Sequence, residues 1–189
     1  MKPIRTAIIV FVFWTIVLGG LYPLFMTGVG AVLFPKRVQG SLIARDGKIV
    51  GSTLLAQDFQ SDIYFHPRPS AAKYDPTNSG ASNWGWTSSD LKKAYLQRKS
   101  EWQKTYGPAD PPMDMMFASA SGLDPHISPE SAEIQAKSVA AARHLDPEKT
   151  FRLLALVRSF EEGPQLGFLG EPRVNVLALN IALDKEFPK

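Results

Sequence analysis

The chain has 189 residues, with 21 basic and 18 acidic side chains and no cysteine. The missing thiols exclude disulfide bonds, thiol nucleophiles and thiolate metal sites. Two of the basic residues, Lys2 and Arg5, precede a long apolar run. The remaining charges nearly balance, so the composition predicts no basic surface for nucleic acid.

An uncharged run of 28 residues, from Ala7 to Phe34, dominates the N-terminal end. A helix of that length would extend about 42 Å, more than the roughly 30 Å hydrocarbon core of a bilayer. We therefore predict one membrane-spanning helix from about Arg5 through Tyr22 and beyond, with Pro23 either kinking it or marking the far interface. The alternative is a cleaved signal peptide, because Gly28-Val29-Gly30 resembles a cleavage pattern, but signal cores are shorter.

The apolar run contains small residues at helical spacing. Thr15 and Gly19 are four residues apart, and Tyr22 follows nearby. Small residues at this spacing allow a second helix to approach closely in a membrane, which makes this face a candidate helix contact. The alternative is that glycine is simply common in membrane helices.

We assign residues 1–35 to the anchor and 36–189 to one α+β domain, because about 155 residues suffice for a single core. The domain begins with a predicted β-hairpin, whose strands, 41–45 and 48–52, flank Asp46-Gly47, a frequent two-residue turn. Further along, Arg68 lies between two prolines, which hold the backbone extended. A loop from Asp75 to Ser89 carries Trp84 and Trp86.

Three helices are predicted from their caps. The first has Ser89 as N-cap and ends at Gly107-Pro108; the second has Ser128 before Pro129; the third opens at Asp146-Pro147. The last two form a helical hairpin. Two strands are also predicted, a short one at Met115–Ala118 and a central C-terminal one at Arg173–Leu183, which is apolar on both faces.

Catalytic motifs are scarce: the chain contains no GxSxG, P-loop or HExxH sequence. The remaining enzyme hypothesis is a membrane-tethered hydrolase that pairs Ser121 or Ser70 with His126 or His66, although His126 more simply belongs to a turn beside Asp124. A third class is a small-ligand-binding module. Residues 78–83 are expected to form either a tight turn or an anion cradle.

Six blocks in chain order make the sequence resemble the C subunit of the bacterial Kdp-type potassium-transporting ATPase. They are GGLYP (19–23), GSLI (40–43), YFHPRPSA (64–71), SGASN (79–83), SGLDPHISP (121–129) and VNVLALNIALD (174–184). The resemblance covers nearly the whole chain. Trp84-Gly85-Trp86 and Phe117 depart from the family's pattern.

The resemblance implies an accessory, non-catalytic subunit of an ATP-driven, high-affinity potassium pump. The implied partners are a channel-like potassium-binding subunit, a P-type ATPase catalytic subunit and a very small membrane subunit. It further implies a single-pass protein of the bacterial inner membrane with a periplasmic C-terminal domain. Members of the family are described as catalytic chaperones that raise the pump's affinity for ATP.

A periplasmic domain cannot touch cytoplasmic nucleotide, and the sequence has no phosphate loop. We therefore expect no cofactor on this chain: ATP would be affected only through the complex, and potassium would be bound by the partner subunit. The expected contact residues are Thr15, Gly19 and Tyr22 in the anchor and His66, Arg68, Ser79, Ser82, Asn83, Asp124 and His126 in the domain.

Overall fold

The computed structural model describes residues 2–45 and 47–188, and the chain divides into two compact units, Met1–Leu42 and Ile43–Lys189. The first unit is helical. Its helices are α1 (Lys2–Ile16), α2 (Tyr22–Leu33) and the short α3 (Pro35–Val38). A single turn of π-helix, Val17–Leu21, joins α1 to α2, and the continuous helix from Lys2 to Leu33 is long and apolar enough to cross a membrane.

Pro23 does not end this helix. The N–H of Tyr22 donates to the carbonyl of Val17, five residues earlier, in the widened turn that directly precedes the proline. Proline has no N–H to continue the regular ladder, and its ring crowds the carbonyl four residues before it. The π turn, which the sequence did not predict, lets the helix continue to Leu33.

The rest of the chain alternates helices, short strands and long loops. The strands are β1 (Leu42–Arg45), β2 (Lys48–Ser52), β3 (His126–Ile127), β4 (Glu161–Glu162) and β5 (Arg173–Asn175). The helices are α4 (Ser89–Tyr106), α5 (Met113–Met116), α6 (Pro129–Ala142), α7 (Pro147–Ser159) and α8 (Val176–Glu186). β1 and β2 form a two-stranded sheet, and β5 lies between β3 and β4 in an antiparallel three-stranded sheet.

The core of the second unit lies among α6, α7, α8 and the three-stranded sheet. Small residues on α6, Ala132, Ala136 and Ala140, recur every four positions on one buried face, so α7 can approach closely. Larger apolar side chains fill the remaining space. The fully buried ones are Phe65, Met116, Ile127, Val139, Leu153, Val157, Val174, Val176, Leu179 and Leu183.

The α+β class is confirmed, with an N-terminal apolar helix before a mixed domain. Both hairpin strands are present, although Asp46 of the predicted turn lies outside the described residues. The helical hairpin is confirmed as α6 and α7, with Ser128 and Asp146 as their N-caps.

Three local predictions are wrong. Ser88, not Ser89, caps α4, because its hydroxyl accepts the N–H groups of Asp90 and Leu91. Met115–Ala118 is not a strand: Met113–Met116 forms the single helical turn α5. The predicted strand at Arg173–Leu183 holds only as far as Asn175, which is central in its sheet and then caps α8 by accepting the N–H of Ala178.

Candidate partner-binding surface

An ion pair between Arg68 and Asp124 is the centre of the candidate surface. The Nη1 group of Arg68 donates to Oδ2 of Asp124 at 2.9 Å, and Nε donates to the backbone carbonyl of Asp114 at 3.3 Å. Pro67 and Pro69 restrict the backbone on either side of the arginine. Because about a quarter of each charged side chain remains exposed, the pair can be contacted from solvent.

His126 belongs to the same group. Its backbone N–H donates to Oδ1 of Asp124 at 3.0 Å, and its Nδ1 lies 3.5 Å from the same oxygen. The histidine is in β3, where it pairs with Asn175 of β5, and it therefore precedes the helix entrance at Ser128. The turn stabilised by Asp124 agrees with a structural role for His126 in that turn, rather than a catalytic one.

The contacts with His126 and Arg68 lower the pKa of the Asp124 carboxyl group. Partial burial raises the pKa of its carboxyl group, but the side chain and backbone of His126 and the guanidinium of Arg68 more than offset it. The pKa of Asp124 is consequently below its ordinary value of 3.8. The surface therefore carries a carboxylate and a guanidinium at neutral pH.

Backbone hydrogen bonds join the loops around this pair. The backbone N–H of Gly80 donates to the carbonyl of Ser121 at 2.9 Å, and the hydroxyl of Ser79 donates to the same carbonyl at 2.9 Å. The N–H of Ser119 donates to the carbonyl of Pro69 at 3.0 Å. The segments at Pro69 and at Ser79–Gly80 are thus both joined to the distant segment 119–121. The N–H of Gly80 is therefore not free to cradle an anion.

Two open clefts lie beside the ion pair. One has a volume of about 480 Å³ and is lined by Arg68 and Asp124 together with Leu54, Leu123 and Pro125 among others. The other, of about 470 Å³, is also lined by Glu171, Pro172 and Arg173, in the segment that enters β5. Its charged lining consists of Arg68, Asp114, Asp124, His126, Glu171 and Arg173. The ion pair therefore borders both clefts.

Ser82 and Asn83 lie beside an aromatic patch. Asn83 has a left-handed backbone, with φ of 55°, and its side-chain amide donates to the carbonyl of Ala81 at 3.3 Å. Both residues line a cleft of about 340 Å³ that also contains Trp86 and Phe117. Trp86 is 90% exposed and meets Phe117 edge-on, with ring centroids 6.3 Å apart. The two places where the sequence departs from the family pattern are thus in contact.

His66 has an internal role. Its Nδ1 donates to the carbonyl of Phe59 at 2.6 Å, because a carbonyl can only accept. Its backbone N–H and C=O are bonded to the side-chain amide of Gln135 at 2.7 and 3.2 Å. His66 lines neither of the clefts beside Arg68, so the structure does not bring it together with the other candidate residues.

Asp114 was not predicted from the sequence, although it supports the surface. Its carboxylate accepts from the N–H and the hydroxyl of Ser128 at 2.8 and 3.2 Å, and from the hydroxyl of Ser131 at 2.7 Å. It therefore binds α5 to the first turn of α6, next to the carbonyl that Arg68 contacts. An acidic residue in a turn gives no local signal of such a long-range role.

The hydrolase hypothesis requires a hydrogen bond between a serine hydroxyl and a histidine ring, but the two candidate serines bond to backbone groups. Ser70 donates to the carbonyl of Gly122 at 2.6 Å, and the hydroxyl of Ser121 accepts the N–H of Leu123. Among the hydrogen bonds of residues 2–45 and 47–188, we find none between a serine hydroxyl and the ring of His66 or His126. The same residues contain no group of three histidine or acidic side chains able to hold a metal ion.

The three candidate residues of the anchor differ in their surroundings. Thr15 donates its hydroxyl to the carbonyl of Phe11 at 2.8 Å, within its own helix. Thr15 and Gly19 line a shallow apolar groove of about 570 Å³ along the helix surface, which does not include Tyr22. The π turn between Ile16 and Tyr22 changes the face on which the following residues lie.

Comparison with known proteins gives consistent matches over the whole chain. The sequence model of the family described as "KdpC: K+-transporting ATPase, c chain" matches residues 4–185. A protein named potassium-transporting ATPase KdpC subunit from Rhodospirillum rubrum is 48% identical over 194 residues, covering 100% of this chain and 98% of that protein. Proteins of the same name from Bradyrhizobium diazoefficiens and Geobacter sulfurreducens are 44% and 46% identical, covering 100% of both chains in each case.

Proposed function

Because the chain belongs to the KdpC family of K+-transporting ATPase c chains, we propose that its Arg68–Asp124 surface contacts the potassium-binding subunit near the ion entrance. The chain is a non-catalytic subunit of the K+-transporting ATPase complex. Its proposed partners there are the channel-like potassium-binding subunit, the P-type catalytic subunit and the small membrane subunit. Its proposed effect is to stabilise the complex and to modulate its affinity for potassium or ATP.

The observation that supports this proposal is the Arg68–Asp124 pair, about a quarter exposed, between two open clefts. Arginine is enriched at protein interfaces because its planar guanidinium donates several hydrogen bonds from a fixed geometry. The loops that carry the pair are joined by backbone hydrogen bonds, so little conformational entropy would be lost on binding. Trp86 and Asn83 provide an aromatic and polar extension of the same surface.

We further propose that the second unit lies in the periplasm and that any effect on ATP affinity is indirect. No P-loop sequence is present in the chain, and cytoplasmic nucleotide would be on the other side of the membrane. The apolar helix Lys2–Leu33 would then be the physical connection to the cytoplasmic side. The proposal predicts a change in ATP affinity on loss of the subunit, without nucleotide binding to the isolated chain.

The double variant Arg68→Ala with Asn83→Ala tests the surface. In cells expressing the whole pump, it should reduce the amount of complex recovered by about tenfold or weaken potassium affinity similarly, as loss of a typical hot-spot residue does. Arg158→Ala is the matched control, because it removes another guanidinium that pairs with a carboxylate, Glu133, at 2.9 Å on the exposed side of α7. Unchanged recovery and transport in the double variant would exclude this surface.

Orientation is tested separately with trypsin on intact spheroplasts. The exposed lysines of α4, including Lys92 and Lys93, provide cleavage sites in the second unit. A periplasmic domain should be digested while a cytoplasmic marker stays intact. Protection until the spheroplasts are lysed would place the domain in the cytoplasm and reopen direct contact with nucleotide.

A further inference from the structure

The loop between β4 and β5 forms a closed apolar finger, residues Gly163–Gly170. Gln165 and Leu169 exchange two backbone hydrogen bonds, at 2.8 and 2.9 Å, and the N–H of Gly167 donates to the carbonyl of Pro164 at 3.1 Å. The strands at its base pair in antiparallel register. The finger is therefore held in one shape by its own backbone.

The tip of the finger presents large apolar side chains to solvent. Leu166 is 83% exposed, Phe168 75% and Leu169 50%. Leu166 also adopts a left-handed backbone, with φ of 54°, which is uncommon for a branched apolar residue. Folding of the domain explains neither the exposure nor the strain, and clustered exposed apolar side chains commonly mark a binding site.

The base of the finger is acidic. Glu161 and Glu162 precede it and Glu171 follows it. Arg173 pairs with Glu162 at 3.1 Å, whereas we find no ion-pair partner for Glu161 or Glu171 within the described part of the chain. An apolar tip with two uncompensated carboxylates at its base is complementary to an apolar socket surrounded by basic side chains. An anionic lipid surface would instead repel these carboxylates.

The finger is continuous with the surface around Arg68. Glu171 and Arg173, which leave the finger toward β5, line the same cleft as Arg68, Asp124 and His126. β5 then pairs directly with β3, where His126 lies opposite Asn175. One partner could therefore contact the ion pair and the finger together.

We propose that the finger Gly163–Gly170 inserts into an apolar socket, bordered by lysine or arginine side chains, on another protein subunit of the same pump. The inference rests on the proposed function, because it takes the partner to be a protein of that complex. Phe168 and Leu166 fill the socket, and Glu161 and Glu171 meet its basic border. Because backbone hydrogen bonds already hold the finger in one conformation, little conformational entropy is lost when it binds.

Photo-crosslinking in the assembled pump tests the contact. Benzoylphenylalanine replaces Phe168 in the full chain, and the matched control carries it at Phe151 of α7, which is 74% exposed but lies outside the finger. The expected result is a crosslink from position 168 to a pump subunit, at least tenfold stronger than from position 151. Equal crosslinking from both positions, or crosslinks to lipid alone, would overturn the proposal.

A double variant gives an independent measurement. Leu166→Gly with Phe168→Ser removes the apolar tip, while glycine accepts the left-handed backbone at position 166. The thermal midpoint of the chain should be maintained, and recovery of the complex should fall about tenfold relative to Phe151→Ser. Undiminished recovery would overturn the proposal.

The two proposals fail in different ways. If the wild-type chain co-purifies with the pump but position 168 does not crosslink to protein, the finger is excluded and the proposed function stands. If the wild-type chain does not co-purify with the pump, the proposed function fails and the finger assignment fails with it.

Discussion

The side-chain amide of Asn180 hydrogen-bonds both the backbone N–H and the backbone C=O of Phe65, each at 2.9 Å. Gln135 makes the equivalent pair of bonds to the next residue, His66. Two amides from α8 and α6 therefore take the place of a neighbouring strand for an irregular segment in the core. This arrangement places Arg68, two residues further on, at the surface.

Replacing Asn180 with leucine should destabilise the protein strongly. The substitution preserves approximate volume but leaves the N–H and C=O of Phe65 buried without partners, at a cost of about 1–3 kcal/mol for each group. We expect the free energy of unfolding, measured by urea titration of the full chain in detergent with circular dichroism, to fall by about 2–5 kcal/mol. Asn78→Leu, on an exposed turn, is the control, and an equal loss there would contradict the argument.

Gly122 is required by the close approach of two loops. Its φ is +69°, and a Cβ atom would lie 2.7 Å from Cβ of Ala72 and 2.9 Å from the carbonyl oxygen of Gly80. Gly122→Ala should therefore lower the free energy of unfolding by about 2–4 kcal/mol, through backbone strain and overpacking. It should also reduce recovery of the pump complex, since the loops beside Asp124 would separate.

Gly85→Ala is the matched control for this substitution. A Cβ atom there meets nothing within 4 Å. The control should change the free energy of unfolding by no more than about 0.5 kcal/mol. If Gly122→Ala unfolds at the same urea concentration as the control, the two loops are not in the contact described.

The sequence predicted the helices with strong caps and missed structure that depends on distant partners. Ser128 and Asp146 indicate the starts of α6 and α7 from local sequence alone, because each is a polar N-cap followed by proline. By contrast, an apolar segment buried on all sides has no hydrophobic periodicity that distinguishes a strand from a helix. For this reason α8 was predicted as a strand. Asn175 was the available signal, because asparagine is a favoured N-cap and leucine and alanine follow it.

The candidate site was predictable only in part. The family resemblance indicated Arg68, Asp124 and His126, and the structure brings these three together. His66 shares a sequence block with Arg68, yet its ring bonds the carbonyl of Phe59 and its backbone bonds the side chain of Gln135. These partners are distant in sequence or irregular in structure, so no local pattern indicates them. The finger could not be predicted, because an exposed Leu166 or Phe168 has the same sequence signature as a core residue.

A partly buried charge network around Asp184 should make the stability of the protein depend on acid pH. Burial raises the pKa of the Asp184 carboxyl group, but hydrogen bonds from Arg143, Tyr64 and Arg45 outweigh it and lower the pKa below 3.8. A carboxyl group with a lower pKa in the folded state adds stability that is present above its unfolded pKa. That stability is lost as the pH falls through the folded pKa, so the thermal midpoint should decrease below about pH 4.

Arg143→Met should weaken this dependence and lower stability throughout. The Arg143 side chain is 5% exposed and also donates to the carbonyls of Ile63 and Phe187, so its loss should cost about 3–5 kcal/mol. Arg152→Met, which breaks the exposed pair with Glu186, should cost no more than about 1 kcal/mol. Thermal midpoints of the three proteins between pH 7 and pH 3 provide the comparison. Parallel pH profiles for wild type and Arg143→Met would show that Arg143 does not control Asp184.

The groove at Gly19 leads to a prediction about assembly within the membrane. Thr15 and Gly19 line it, and a Cβ atom on Gly19 meets nothing within 4 Å, so another helix can approach there. Gly19→Leu should fill the groove and lower recovery of the complex several-fold, without unfolding the helix, because leucine favours helix more than glycine does. Gly28→Leu adds the same bulk nine residues further on, where a Cβ atom is equally free, and should leave recovery unchanged. Equal recovery of the two variants would mean that helix contact does not depend on this groove.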